Sequence, residues 1–232
     1  MQKILAGLHR FQRDVFPAKK ALFESLCDGQ APYALFITCG DSRIVPSLLT
    51  QTPPGELFLS RQVGNIVPPH GTLYGGVSST IEYAVGVLRV RHAIICGHTN
   101  CGAMAAILHP ETVEDFPNTR RWLANAEVAR QLVNARCPNG TEEERIEMVT
   151  RENVRIQLMH LETHPVVAVA VAQGALQLHG WVYHLETGQV DAYNPATKEF
   201  APITFEEREG DGPEPAEMAI SEISGMFEEA SR

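Results

Sequence analysis

Ala34-Leu35-Phe36-Ile37-Thr38-Cys39-Gly40-Asp41-Ser42-Arg43 is the stretch that decides the fold of this chain. Apolar and β-branched residues run without alternation into a cysteine, and a glycine then opens a turn that carries an acid and a base. A short, continuously apolar run of this kind reads as a strand buried on both faces. The pattern returns at Ala93-Ile94-Ile95-Cys96, which runs into Gly97-His98-Thr99-Asn100-Cys101. A third run, Glu56-Leu57-Phe58-Leu59-Ser60, and a fourth, Val166 to Ala172, read as further buried strands. Ser78 to Val90 and Gly102 to Leu108 read as the crossover helices that follow the second and third strands. Buried strands separated by helices define an α/β class with a central, mainly parallel β-sheet flanked by helices. Cys39 and His98 then stand just past strand carboxyl ends, the usual binding edge of an open α/β sheet.

Outward from this centre, residues 141–161 form a helix. Thr141 and Glu144 have the spacing of a capping box, and Ile146, Val149, Ile156 and Met159 mark its apolar stripe. Gly180 to Leu185, a turn at Glu186-Thr187-Gly188, and Gln189 to Tyr193 read as a C-terminal β-hairpin. Met1 to Leu26 is helical on both sides of Pro17, and its apolar face (Ile4, Leu5, Leu8, Phe11) needs a surface to cover it. A second subunit and the chain's own core serve equally well. From about Gly210 the chain reads as a linker, with Ala219 to Phe227 either a short docked helix or loose.

Length and charge bound the function. With 232 residues, one sizeable core and one domain are expected. We assign residues 1–205 to a single catalytic domain, with 1–26 as a helical arm, and 206–232 to an acidic extension. The formal charge of −9 argues against a nucleic-acid partner. Residues 206–232 hold nine acids against Arg208 and Arg232, so −7 of that charge lies in the extension and only −2 in the body. The extension is an interaction handle or simply a solvated tail. No leader and no apolar run long enough to span a bilayer stands out. Five cysteines, an odd number without the spacing of a disulfide scaffold, fit a reducing, cytoplasmic setting.

Cys39, His98 and Cys101 offer two thiolates and an imidazole, a donor set that favours zinc (Zn2+) and leaves a fourth tetrahedral position open. His98 and Cys101 are three residues apart at the start of a helix, so both can face one point. Two thiolates and a neutral imidazole cancel the charge of the ion, which makes it a weaker Lewis acid than one held by three histidines. Asp41 is the candidate helper: it can accept a hydrogen bond from a water in the open position, or it can occupy that position and shut the site. Arg43 can hold Asp41 off the metal through a bidentate pair.

These residues resemble the β class of carbonic anhydrases. Cys-x-Asp-x-Arg at 39–43 and His-x-x-Cys at 98–101 carry the resemblance, which extends from about residue 1 to residue 205. Pro54-Gly55-Glu56-Leu57-Phe58, Arg61-x-x-Gly64-Asn65-Ile66-Val67-Pro68-Pro69, Ile81-Glu82-Tyr83-Ala84-Val85 and Leu178-His179-Gly180-Trp181-Val182-Tyr183 add to it. The resemblance implies reversible hydration of carbon dioxide to bicarbonate and a proton, by attack of a zinc-bound hydroxide that Asp41 orients. It makes Cys39, His98 and Cys101 the zinc ligands, with one ion per subunit, and Asp41 and Arg43 the catalytic dyad. By matching position, Gln30, Phe58, Val63 and Tyr83 form the small substrate pocket of the plant-like branch. A nonpolar linear substrate suits the apolar walls Phe58 and Val63, and bicarbonate suits the amide of Gln30. The Gly102 amide, at a helix start, could face the developing anion. A homodimer or a dimer-based higher oligomer is implied.

One departure is informative. A second branch of the family has a non-catalytic bicarbonate site built from a Trp, an Arg and a Tyr. Arg61 and Tyr183 match two of these, but Phe36 stands in the Trp position and has no indole N–H to donate. The open state, with Asp41 paired to Arg43, is therefore the expected ground state near neutral pH. The rivals are a carbon disulfide or carbonyl sulfide hydrolase on the same fold, and a non-catalytic zinc-binding homologue.

Overall fold

The computed structural model describes residues 1–72 and 75–204, and the acidic extension 206–232, with its linker and short-helix expectations, lies outside them. The chain divides into two compact units, Met1–Ala31 and Pro32–Arg232. In the first, helix α1 (Gln2–Arg10) runs through a wider π turn, Phe11–Val15, toward Pro17, and helix α2 (Lys20–Ser25) follows. Proline has no N–H to give the preceding turn, which accounts for the irregular backbone there. Phe11, Phe16 and Phe23 pack together, with ring centroids 5.3 to 6.2 Å apart. Ile4, Leu5 and Leu8 stay exposed.

The second unit is built on one six-stranded sheet in the order β2-β1-β3-β4-β5-β6. Its strands are β1 (Ala34–Cys39), β2 (Leu57–Gln62), β3 (His92–His98), β4 (Gln177–Tyr183), β5 (Val190–Asn194) and β6 (Glu199–Pro202). β2, β1, β3 and β4 are parallel, whereas β5 and β6 are antiparallel additions. From β1 the chain steps to one side for β2 and returns to the other side for β3. The carboxyl ends of β1 and β3 therefore flank the topological switch point, where open α/β sheets place their ligands.

Among the described residues the unit also contains helices α3 (Pro46–Leu49), α4 (Gly76–Glu82), α5 (Gly102–Leu108), α6 (Pro117–Leu123), α7 (Glu127–Arg136), α8 (Glu142–Glu162) and α9 (Pro165–Ala172). α5 has the bounds read from sequence, and α4 continues through a π turn, Tyr83–Val87. α8 starts on the expected capping box: the Thr141 hydroxyl accepts from the Glu144 amide, and the Glu144 carboxylate accepts from the Thr141 amide. Its buried face differs from the expected stripe. Val149 and Ile156 of that stripe are buried, Met159 is exposed, and Asn153, Val154, Gln157 and Leu161 also point inward. α8 lies close on the sheet because glycines face it. A Cβ at Gly97 or at Gly180 would come within 2.9 Å of a Val154 methyl.

Val166 to Ala172 is not a strand but the body of α9. Its ends explain the difference. Pro165 opens it, where a missing N–H costs nothing, and Gly174, with φ 69°, closes it. The Ala175 amide bonds to the Ala170 carbonyl and the Gly174 amide to that of Val171, a Schellman closure. The fourth parallel strand is instead β4, the first arm of the expected hairpin, whose second arm is β5.

Candidate metal centre

Cys39 is the last residue of β1 and His98 the last of β3, so parallel pairing brings both to one sheet edge. Cys101 is the residue before α5, in an extended conformation that turns its side chain back toward them. The three ligand atoms lie within 4.8 Å of one another, and all three residues are buried. The two sulfurs are 3.9 Å apart. Two zinc–sulfur bonds of about 2.3 Å at a tetrahedral angle span about 3.8 Å.

The histidine is prepared for a metal as well. Its Nδ1 lies 2.8 Å from the Thr99 carbonyl oxygen, which can only accept, so Nδ1 carries the proton. Nε2 is left as a bare lone pair, buried and without a hydrogen-bond partner. A buried orphan acceptor is costly in a folded protein, and a cation at this point removes the cost. The residues present therefore fit zinc.

The thiols share one proton. Cys39 is held well below the ordinary thiol range, first by the Cys101 thiol beside it and then by the amides of Gly64 and Asp41, against the opposing effect of burial. Cys101 is pushed up, first by its bond to Cys39 and then by burial. Two thiolates this close need a cation between them. Cys96, one residue before Gly97, packs with Ala34, Phe36 and Ile94 instead, where burial pushes its thiol up to about 12. All five cysteines are free.

Asp41 and Arg43 form a two-pronged pair. Arg43 Nε donates to Asp41 Oδ1 at 2.9 Å and Nη2 to Oδ2 at 2.7 Å, while the Arg43 amide also donates to Oδ1. Nη2 reaches the Asn100 carbonyl too, at 3.0 Å. The guanidinium holds the Asp41 carboxyl well below the usual carboxylate range. Asp41 Oδ2 lies 3.9 Å from His98 Nε2, so the carboxylate borders the three ligand atoms while it is engaged with Arg43.

The remaining expected residues lie on separate elements. Phe58 and Tyr83 stack with ring centroids 5.9 Å apart. Val63 lines a cleft of about 630 Å³ together with Arg61, Val77, Thr80 and Trp122. Gly102 is the first residue of α5, with open space beside it. Gln30 is exposed at the end of the first unit. Phe36 is fully buried, with the Trp181 indole edge-on at 5.9 Å. Arg61 donates to the carbonyls of Asp41, at 2.7 Å, and Cys39, at 3.3 Å, and so ties down the turn that presents both side chains.

Sequence reasoning missed the residues that pin the loop after His98 and the neighbouring segment 63–67. Glu186, in the hairpin turn, accepts from Thr99 Oγ1 at 2.8 Å and from the Asn100 amide group. Trp122, Asn153 and Gln157 hold residues 63–67. The i, i+4 spacing of Asn153 and Gln157 on a capped helix is the one signal that places both on a single face.

Comparison with known proteins agrees with this geometry. The family profile for carbonic anhydrase matches residues 34–190, which include all three ligand positions. A carbonic anhydrase from Pseudomonas aeruginosa is 49% identical over 203 residues, covering 88% of this chain and 92% of that protein. Carbonic anhydrase 1 of Escherichia coli O157:H7 is 46% identical over 208 residues, covering 90% and 94%. The solved structure of the β-carbonic anhydrase CcaA superposes with a TM-score of 0.86 at 39% identity, covering 88% of this chain and 92% of that one. With the donor set, the sheet order and these matches in agreement, the chain belongs to the carbonic anhydrase family, in its β class.

Proposed function

We propose that this chain catalyses the reversible hydration of carbon dioxide to bicarbonate and a proton, with Cys39, His98 and Cys101 holding zinc. The observation that carries the reading is the pairing of Asp41 with Arg43 beside the three ligand atoms. Zinc, when bound, supplies a Lewis acid that acidifies a water in its open position and makes a nucleophile near neutral pH. The chain supplies the rest. Arg43 occupies both Asp41 oxygens, which keeps the carboxylate from serving as a fourth ligand. An ionised carboxylate oxygen has lone pairs to spare, so Asp41 still accepts a hydrogen bond and aims the nucleophile. Phe58, Val63 and Tyr83 wall the place for a nonpolar substrate, and Gln30 and the Gly102 amide donate to the bicarbonate. Phe36, with no polar group, and Arg61, already engaged by two backbone carbonyls, support the absence of a second bicarbonate site and so an open centre.

The test pairs zinc analysis with stopped-flow hydration. The expected result is one zinc per chain and rapid hydration. Asp41→Asn should retain the zinc and lose about 100-fold or more in rate. Undiminished hydration in Asp41→Asn would remove Asp41 from the mechanism, and turnover of carbonyl sulfide or carbon disulfide in place of carbon dioxide would reassign the substrate. We further assign residues 1–205 to one catalytic domain with a helical arm, acting as a homodimer or an assembly of dimers in a reducing cytoplasm. The exposed apolar face of α1 supports the oligomer, and sedimentation as a monomer at micromolar concentration would contradict it. Among the described residues no helix is long and apolar enough to cross a membrane.

A further inference from the structure

Asn153 and Gln157 are fully buried amides on the face of α8 that packs against the sheet. Burying an amide is unfavourable unless its donors and acceptors are met. Here the bonds converge on one loop. Gln157 Nε2 donates to Asn153 Oδ1 at 2.8 Å, and Asn153 Nδ2 donates to the Gly64 carbonyl at 3.0 Å. Gln157 Oε1 accepts from the Val67 amide at 2.8 Å. His160 Nδ1 closes the far end on the Val67 carbonyl, at 2.9 Å. Three side chains of one helix, two of them bonded to each other, thus hold residues 64–67.

On the other side stands Trp122, whose indole Nε1 donates to the Val63 carbonyl at 2.8 Å. That carbonyl belongs to the same peptide unit as the Gly64 N–H, and this N–H points at the Cys39 sulfur, 3.4 Å away. A hydrogen bond accepted by a peptide carbonyl polarises the N–H of the same unit and makes it a stronger donor. The aim depends on Gly64. Its φ of 74° is a left-handed conformation, and a Cβ there would meet the Ala103 Cβ at 3.1 Å and the Met104 Cε at 3.2 Å. Only glycine brings its amide this close to the sulfur.

We propose that the Val63–Gly64 peptide is an outer-shell donor to the metal-binding sulfur of Cys39, set by Trp122 on one side and by Asn153 and Gln157 on the other, and that it withdraws charge from the metal–sulfur bond. The inference rests on the zinc reading above and deepens it. A centre with two thiolates and one imidazole is electron-rich, and a hydrogen bond to one sulfur reduces what that sulfur donates to the ion. Outer-shell partners act on metal centres in this way by orienting the ligand and tuning its basicity. Trp122, Asn153 and Gln157 are positioning residues, since they act through the peptide and do not touch the ion.

The test replaces zinc by cobalt(II) and reads the sulfur-to-metal charge-transfer absorption, which reports electron density on sulfur and does not depend on turnover. Trp122→Phe keeps the ring and removes the N–H, whereas Asn153→Leu removes the amide from the interior. In both variants the band should move to lower energy with one cobalt per chain, and zinc-loaded hydration should fall about 10-fold at unchanged zinc content. Should Asn153→Leu fail to fold, Trp122→Phe decides alone, because its ring lines an open cleft. Wild-type and variant bands at the same energy would overturn this inference and leave the zinc reading intact. A wild-type protein that takes up cobalt without a sulfur band would overturn the zinc reading itself, and this inference with it.

Discussion

Cys39 and Cys96 stand on neighbouring parallel strands, nearly side by side: Thr38 is paired with Cys96, so Cys39 lies beside Gly97. Burial does not separate them, since Cys39 is 5% exposed and Cys96 is not exposed at all. One step of register does. It sends Cys39 to the face that carries Ile66, Cys101 and Met104, and Cys96 to the opposite face, among Ala34, Phe36 and Ile94. Around the Cys39 sulfur stand a second thiol and the amides of Gly64 and Asp41, and the thiolate is favoured. On the opposite face, burial raises the Cys96 thiol, and only the Thr38 side chain opposes it. The difference lies in donors, and it is the donors that turn a buried cysteine into a metal ligand.

Paired substitutions make the sharpest break in this comparison. Cys39→Ser should lose zinc and hydration together, by more than the 10- to 100-fold that typically follows loss of an outer-shell partner. Cys96→Ala should keep one zinc per chain and full activity. Its effect is a small cavity, worth about 1 kcal/mol and roughly 2–4 °C in Tm for a domain of this size. Zinc analysis and thermal melts on both proteins check the pair. Zinc loss in Cys96→Ala would show that burial, and not the local donors, governs the centre.

The same contrast explains what could be read in advance. β1 and β3 were legible because continuous apolar runs end abruptly on ligand-type residues, and the cap of α8 was legible because Thr141 and Glu144 are local partners. Cys39, His98 and Cys101 followed from donor chemistry at strand ends. Val166 to Ala172 was misread because a run of valines and alanines lacks a period, so its identity lies in Pro165 and Gly174 at its ends. Asn153 and Gln157 were invisible as core residues for a different reason. Polar side chains on a helix normally face water, and only the loop at 64–67, distant in sequence, gives them partners inside. Their burial moves the inward face of α8 away from Met159, the residue that hydrophobicity alone selects.

The smallest expected effect extends the comparison to histidines. His164 is fully buried, like Cys96, and burial again favours the neutral form by lowering its pKa. Nearby His70, with its ring 5.6 Å away, lowers it further when charged, while Glu82 and the bond to the Pro68 carbonyl oppose the shift. His160, in the last turn of α8, is lowered by burial as well. A histidine whose folded pKa lies below its unfolded value of about 6.5 binds its proton more readily in the unfolded chain. Its contribution to stability is complete above that value, and it is lost as pH falls below it toward the folded pKa. The zinc-loaded protein should therefore melt at a lower temperature at pH 5.5 than at pH 7.5. His164→Gln keeps an N–H donor for the Pro68 carbonyl but does not titrate, so its melting temperature should fall less over the same interval. The zinc ligands are common to both proteins, so the difference between the two slopes isolates His164. Equal slopes would mean that His164 titrates alike in the folded and unfolded chain, and that burial does for this imidazole less than it does for the thiol of Cys96.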